Sequence, residues 1–303
     1  MGIYIDLHMH SAYSDDGEYT PVELVTMCGQ AGIRIMAVTD HNCARANVDA
    51  QREAERLNIK YLPGVELECT WQDMVFHLLG YQIDYKSSDF EKIESNIREQ
   101  SLEASRERLR LIRKLGFNVT EDELYAVSGK RYWKDYWSGE IFAEILLNKP
   151  EYMDNEILRH YRPGGSKGDN PYVNIYWDYF AQGKPCYAEM IFPGLKEAIE
   201  IIKDNGGKSV LAHPGNNLKN RFALLDEMIT LGLDGVEVFS SYHDRSDAEH
   251  FYKEARKHSL MITCGSDFHG KTKPSIRLGE SGCFIEESEI ERQLPHFQDK
   301  RMK

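Results

Sequence analysis

An α/β barrel one unit short of the usual eight, interrupted by an α-rich insertion, is the fold class that the sequence predicts. Strands and helices alternate through the first eighty-odd residues and again after Pro193. The stretch between them is helical and rich in charge. About seven strand-like runs occur in all, which suits a (β/α)7 barrel better than the eight-unit form. The barrel is expected to comprise 1–89 and 185–303, and the insertion 90–184.

The first strand, Ile3-Tyr4-Ile5-Asp6-Leu7-His8-Met9-His10, alternates apolar and polar residues. His8 and His10 sit two apart and therefore point to one face. Two such imidazoles can grip one metal ion, or they can be ordinary half-buried histidines; later strand ends decide between these. Thr20-Pro21-Val22-Glu23 starts a helix with an N-cap, a first-turn proline and a capping-box glutamate, and Gly32 is its natural stop. A strand over 35–39 runs into Asp40-His41, a helix covers about 44–57, and strand character returns at 61–62 and 65–67. Val75 to Leu79 is read as the fourth strand. This alternation implies βα units and a parallel sheet.

From Phe90 to Lys114 the pattern becomes one long amphipathic helix, with Ile93, Ile97, Leu109 and Ile112 among its apolar positions. Thr120 to Glu123 opens a short helix by the same capping logic, 141–147 is again helix-like, and 162–171 is a loop. Alternation then resumes. A helix over 195–204 leads to a strand over 209–212 that ends at His213-Pro214-Gly215. A helix over 222–231 leads to a strand over 235–239. A last helix over 246–258 precedes 260–264, which runs into Gly265-Ser266-Asp267-Phe268-His269.

Composition narrows the function. With 303 residues, 41% hydrophobic and 28% charged, the chain reads as a soluble globular protein. No apolar run reaches membrane-spanning length and no signal-peptide pattern precedes the first strand, so no membrane partner is expected. Six scattered cysteines without a C-x-x-C pair suit reduced thiols and a cytoplasmic location. A net charge of −12 argues against a large nucleic-acid interface, but not against a small anionic substrate, because bound divalent cations add positive charge.

Histidines and carboxylates recur at the strand ends: His8, His10, His41, Glu66, His77, His213, Asp267 and His269, with Asp15 on the loop after the first strand. In a parallel barrel, successive C-terminal strand ends ring one mouth. Six of the eleven histidines fall in this set. One ion would not use so many donors, so two or three divalent ions are expected. A mixed His/carboxylate shell suits Mn²⁺, Zn²⁺ or Fe²⁺ alike.

His8-Met9-His10, Ser14-Asp15, Thr39-Asp40-His41, Gly64-Val65-Glu66, Ala212-His213-Pro214-Gly215 and Ser266-Asp267-Phe268-His269 together resemble the PHP (polymerase and histidinol phosphatase) family. The stand-alone phosphoesterases acting on nucleotide 3′,5′-bisphosphates or cyclic sugar phosphates are the nearest in pattern. The resemblance implies a distorted (β/α)7 barrel holding up to three metals. His8, His10, Glu66 and Asp267 would hold the first. Asp15, His41 and His269 would hold the second. Glu66 as a bridge, His77 and His213 would hold the third. Family members often read Ser-Asp-Gly where this chain has Ser14-Asp15-Asp16-Gly17, so Asp16 is an alternative to Asp15.

The expected reaction is metal-dependent hydrolysis of a small phosphorylated metabolite, a nucleotide or sugar phosphate, with inorganic phosphate as product. A cyclic diester hydrolysed first, then its monoester, is included. A hydroxide bridging two metals would attack phosphorus directly. Asp267 is assigned to catalysis, with His243 as candidate proton donor and substrate contact. His160, His250, His258 and His296 are read as solvated or structural. Relatives often carry an arginine on a cap helix that clamps phosphate; here Glu140 stands in that place, a charge reversal. Gly183-Lys184-Pro185 does match the family, so Lys184 is expected at phosphate, with Arg131, Lys134, Arg162 and Lys167 as further candidates. Tyr132, Trp133, Tyr136 and Trp137 are read as insertion core or as a stacking surface for a base or sugar. Competing readings are a 3′-5′ exonuclease or oligonucleotide-processing nuclease, a non-catalytic metal-binding module, and C–N hydrolysis by an amidohydrolase-like barrel.

Overall fold

Strand β1 (Ile5–Asp6) pairs in parallel with β2 (Ile35–Met36), and β2 with β3 (Lys60–Tyr61). The remaining five strands form a second sheet in chain order: β4 (Gly64–Trp71), β5 (Met74–Tyr81), β6 (Lys208–Leu211), β7 (Gly235–Ser240) and β8 (Met261–Gly265). The computed structural model describes residues 4–129, 132–218 and 221–294. Ile3, Arg131 and His296 therefore lie outside the described residues.

The two sheets meet at both ends of this order. The Leu7 N–H donates to the Cys264 carbonyl at 3.0 Å, and Met9 bridges Phe268 in parallel. On the other side His41 bridges Glu66. These are single bridges rather than a continuous ladder, so the α/β fold shows two abutting sheets, and no closed (β/α)7 barrel is found among the described residues. Eight strands replace the expected seven because Pro63, which has no N–H to donate, lies between β3 and β4, and the two join different sheets.

The expectation of an all-parallel sheet fails at β5. Only Gln72 and Asp73 link it to β4, and both adopt left-handed backbone (φ 49° and 60°), as in the tight turns that suit hairpins. A two-residue link cannot cross over to a parallel partner, so β5 is antiparallel to β4 and also to β6. The reversal has a use. The first half of β5 now lies where the parallel strands end, and the Ala212 N–H donates to the His77 carbonyl at 3.1 Å, which sets His77 beside His213.

Helix Pro21–Ala31 has the expected capping box between Thr20 and Glu23, and it ends at Gly32 with φ 84°. The long helix Ser88–Lys114 belongs to more than one apolar cluster. Phe90 packs into the main core with Leu195, Ile199 and Ile202. Ile97 and Ala104 pack with Ala188 and Met190. Leu109 and Ile112 join a separate cluster with Ile141, Phe142, Leu146, Ile175 and Phe180. At roughly 1.5–3 kcal/mol for each fully buried large side chain, the helix is anchored at both ends. Among the described residues no helix is long and apolar enough to cross a membrane.

Candidate metal centre

The site forms where chain segments leave the two sheets. Asp6, at the end of β1, accepts from the Ser266 N–H (3.0 Å) and hydroxyl (2.6 Å) and from the Gly279 N–H (2.7 Å). Burial pushes its carboxyl up to about 6 against these hydrogen bonds. This clasp fixes the exit of β1 against that of β8, so His8 and His10 emerge facing Asp267. A Cβ at Gly265 would lie 2.2 Å from His8 Cβ, so only glycine lets β8 pass there. Asp40 does similar work for the second segment, accepting from the Ser11 N–H at 2.6 Å and hydroxyl at 2.7 Å.

Glu66, fully buried, is the hub. Its Oε2 lies 3.1 Å from both His8 Nε2 and His10 Nε2 and 3.3 Å from His41 Nδ1. Its Oε1 lies 3.0 Å from His77 Nδ1 and 3.3 Å from His213 Nε2. Asp267 Oδ1 is 3.2 Å from His8 Nε2 and 3.1 Å from His10 Nε2. Three groups of donors result: His8, His10, Glu66 and Asp267; His10, Asp16, His41 and His269; and His41, Glu66 and His77. His213 touches the last through Glu66. The backbone is bent to achieve this, since His213 and Asp267 both have positive φ (24° and 57°), a strain typical of functional positions.

The donor set fits cations. His10 Nε2, His41 Nδ1, His269 Nε2, Asp16 Oδ1 and Asp267 Oδ1 are all buried without a hydrogen-bond partner, although oppositely typed atoms lie about 3 Å away. Such atoms aim at shared points between them rather than at each other. The other ring nitrogens are fixed from behind. His8 Nδ1 lies 2.9 Å from Glu237 Oε1, and His269 Nδ1 donates to the Asp267 carbonyl at 2.7 Å. That leaves the Nε2 lone pairs of His8 and His269 facing the cluster, as in carboxylate–histidine–metal arrangements.

Burial alone would raise the Glu66 carboxyl, but the imidazoles of His8, His41 and His77 outweigh it and hold it well below the usual carboxylate range. Burial would likewise raise Asp267, and Lys273, His269 and His8 hold it down. Lys273 Nζ sits 2.6 Å from Asp267 Oδ2, which also accepts from the Tyr242 hydroxyl at 2.7 Å. Both carboxylates are thus kept as anions at neutral pH.

On the loop after β1 the structure puts Asp16, not Asp15, into the cluster. Asp16 Oδ2 lies 3.0 Å from His269 Nε2. Burial opposes ionisation of Asp16, but His269, His41 and His10 hold it far below the normal range. Asp15 is turned the other way: burial and the carboxylates of Asp16, Glu140 and Glu68 push it well up, and Tyr136 hydrogen-bonds it. Asp15 lines the cavity beside the cluster instead.

His243 is not placed to donate a proton to substrate. Its Nδ1 donates to the Val238 carbonyl at 2.8 Å and its Nε2 accepts from the Gly215 N–H at 3.0 Å, so both nitrogens are spent on backbone. His243→Ala is expected to cost about 1–3 kcal/mol of stability and to leave both limbs of the pH–rate profile in place. Loss of one limb with unchanged melting would restore the catalytic role.

A cavity of about 520 Å³ opens from the cluster toward residues between 108 and 192. Asp16, His41 and His77 line one side, and Arg108, Tyr176 and Lys184 line the other. Lys184 lines this cavity, and Lys134, Arg162 and Lys167 do not. Lys134 is exposed and does not line the cavity. Arg162 donates to the Leu147 and Tyr152 carbonyls, both at 2.9 Å, and Lys167 pairs with Asp178. Glu140 is buried in the same cavity wall, its carboxyl pushed up to about 7 by burial and by the charge of Asp16. Sequence reasoning missed Glu237, Lys273 and Arg108. The signal for Glu237 was available, as a lone acid inside the apolar run Val236–Val238; Lys273 and Arg108 lie among other basic residues and carried none.

Comparison with known proteins shows the family. The family model for the PHP domain matches residues 6–165. The 3′,5′-nucleoside bisphosphate phosphatase of Chromobacterium violaceum is 30% identical over 270 residues, covering 88% of this chain and 87% of its own. The 5′-3′ exoribonuclease Rnm of Escherichia coli is 28% identical over 287 residues, covering 91% and 88%. A solved structure from Bifidobacterium adolescentis, a metal-dependent phosphoesterase by its given name, superposes with a TM-score of 0.78 at 25% identity, over 97% of this chain and 96% of that one. With six imidazoles gathered on Glu66, Asp16 and Asp267, and a family model and a full-length relative in agreement, the chain belongs to the PHP family.

Proposed function

We propose that this chain, a metal-dependent phosphoric ester hydrolase of the PHP family, acts on a small phosphorylated metabolite. Nucleotide and sugar phosphates, cyclic diesters included, are the substrate class, and inorganic phosphate is the product. The observation that carries the reading is the 520 Å³ cavity joining the imidazole–carboxylate cluster to Lys184, a volume within the range of about 300–1,000 Å³ typical of small-molecule sites.

His8, His10, Glu66 and Asp267 would hold one divalent ion; Asp16, His41 and His269, with His10 alongside, a second; Glu66, His77 and His213 a third. When bound, such ions supply hydroxide at neutral pH and neutralise charge developing on the phosphoryl oxygens. The residues of the chain do the rest. Glu237 holds the His8 ring in one tautomer and orientation. Lys273 and Tyr242 engage one oxygen of Asp267, leaving the other to face the cluster. Lys184 meets the phosphate from the insertion side, and the insertion caps the mouth and excludes water.

A nucleic-acid end is the competing substrate, since the Escherichia coli relative is named an exoribonuclease. The net charge of −12 weighs against a long polyanion. Metal-reconstituted protein, offered nucleoside bisphosphates, sugar phosphates, cyclic esters and a labelled oligoribonucleotide at several salt concentrations, separates the two. Phosphate release from the small esters with little salt dependence is expected. Trimming of the oligomer alone, falling steeply with salt, would sink the reading.

A further inference from the structure

Arg108 lies in the buried stripe of helix Ser88–Lys114, between Ala104 and Ile112, where a cation is costly. Only 6% of it is exposed. Its polar contacts are all to neutral groups: a hydrogen bond with Tyr136, one terminal nitrogen donating to the Trp137 carbonyl at 3.3 Å, and another 3.8 Å from Met190 Sδ. Its Nε has no partner, and among the described residues it makes no ion pair. The Tyr136 ring stands 5.6 Å away, and Tyr136, Tyr176 and Asp15 are the groups whose charge acts on the guanidinium. The guanidinium also lines the cavity that holds the metal centre.

An arginine cannot shed its proton to escape this position. A buried cation without a carboxylate partner, facing a cavity, is matched by an anion that comes from outside. The contacts of Arg108 (Trp137, Met190, Tyr136) lie away from the cluster, and none is one of its imidazoles or carboxylates.

We infer that Arg108 is a specificity-determining residue that binds a second oxyanionic group of the substrate, remote from the ester cleaved at the metal centre. The inference rests on the phosphoesterase reading for the cleaved end only. The fork of the guanidinium takes two oxygens of that remote phosphate or carboxylate, and the phenol hydroxyls of Tyr136 and Tyr176 border it.

Calorimetric titration of the metal-loaded protein with alkane bisphosphonates of increasing chain length, each beside its one-headed counterpart, tests this without turnover. The wild type is expected to bind one two-headed member at least about tenfold more tightly than its one-headed partner, and Arg108→Met to lose that advantage. Arg108→Lys is expected to recover part of it. Replacement of a buried charge by an apolar isostere is tolerated in folding, so Arg108→Met remains a fair test. In steady state, Arg108→Met is expected to raise KM for a nucleoside 3′,5′-bisphosphate by roughly tenfold or more with a much smaller change in kcat. No advantage for any two-headed ligand, an advantage that survives Arg108→Met, or a fall in kcat at constant KM each overturns the assignment. Absence of turnover with the calorimetric difference intact would instead count against the phosphoesterase reading and leave this site standing.

Discussion

His10→Ala is expected to lower turnover by about 10³-fold or more while the protein stays folded, with Asp267→Ala doing the same. His10 is shared between two of the three donor groups, and Asp267 Oδ1 is within 3.2 Å of both His8 and His10. Removing either withdraws a donor that no neighbour can replace at that distance. The fold is expected to survive because its strands are held by Asp6, Asp40 and the apolar clusters, which neither substitution touches. Asp267→Ala does leave Lys273 and Tyr242 without their acceptor, so Asp267→Asn is the gentler companion. Melting curves and metal content, measured beside turnover, check the assignment. Full activity in His10→Ala, or a collapsed melting transition with no change in metal content, would contradict it.

The two neighbouring aspartates are expected to differ by an order of magnitude or more. Asp16→Asn removes the anion facing His269, and should cost roughly 10²-fold in turnover with a matching loss of one bound ion. Asp15→Asn neutralises a carboxyl already pushed well up by burial and by three neighbouring acids, and should cost less than about tenfold. Parallel metal analysis and kinetics of both variants decide it. A larger loss in Asp15→Asn would return that residue to the donor set.

Much of the donor set was legible because strand periodicity and strand ends are local signals. His8 and His10 two apart on a strand, or Asp267 and His269 after a run of β-formers, need no tertiary knowledge. Choosing between Asp15 and Asp16 did, because adjacent loop residues differ only in which way the backbone turns them. The direction of β5 was within reach: two residues between Trp71 and Met74 leave no room for a crossover, but the apolar run at 75–79 read like one more unit in a repeating series. His243 misled for the opposite reason. Its loop lies next to a strand end, yet its ring is tied to the Val238 and Gly215 backbones, contacts that no pattern in the chain announces. Arg108 was invisible as a functional candidate, since one arginine among several on a helix looks like solvated surface until its neighbours are known.

The apolar cluster around Phe142 draws on one unbroken stretch of chain, from Leu109 to Cys186, whereas the imidazoles and acids of the metal centre come from His77 and before and from His213 and after. A substitution inside that stretch therefore disturbs the packing of its own apolar cluster without removing a grouped donor.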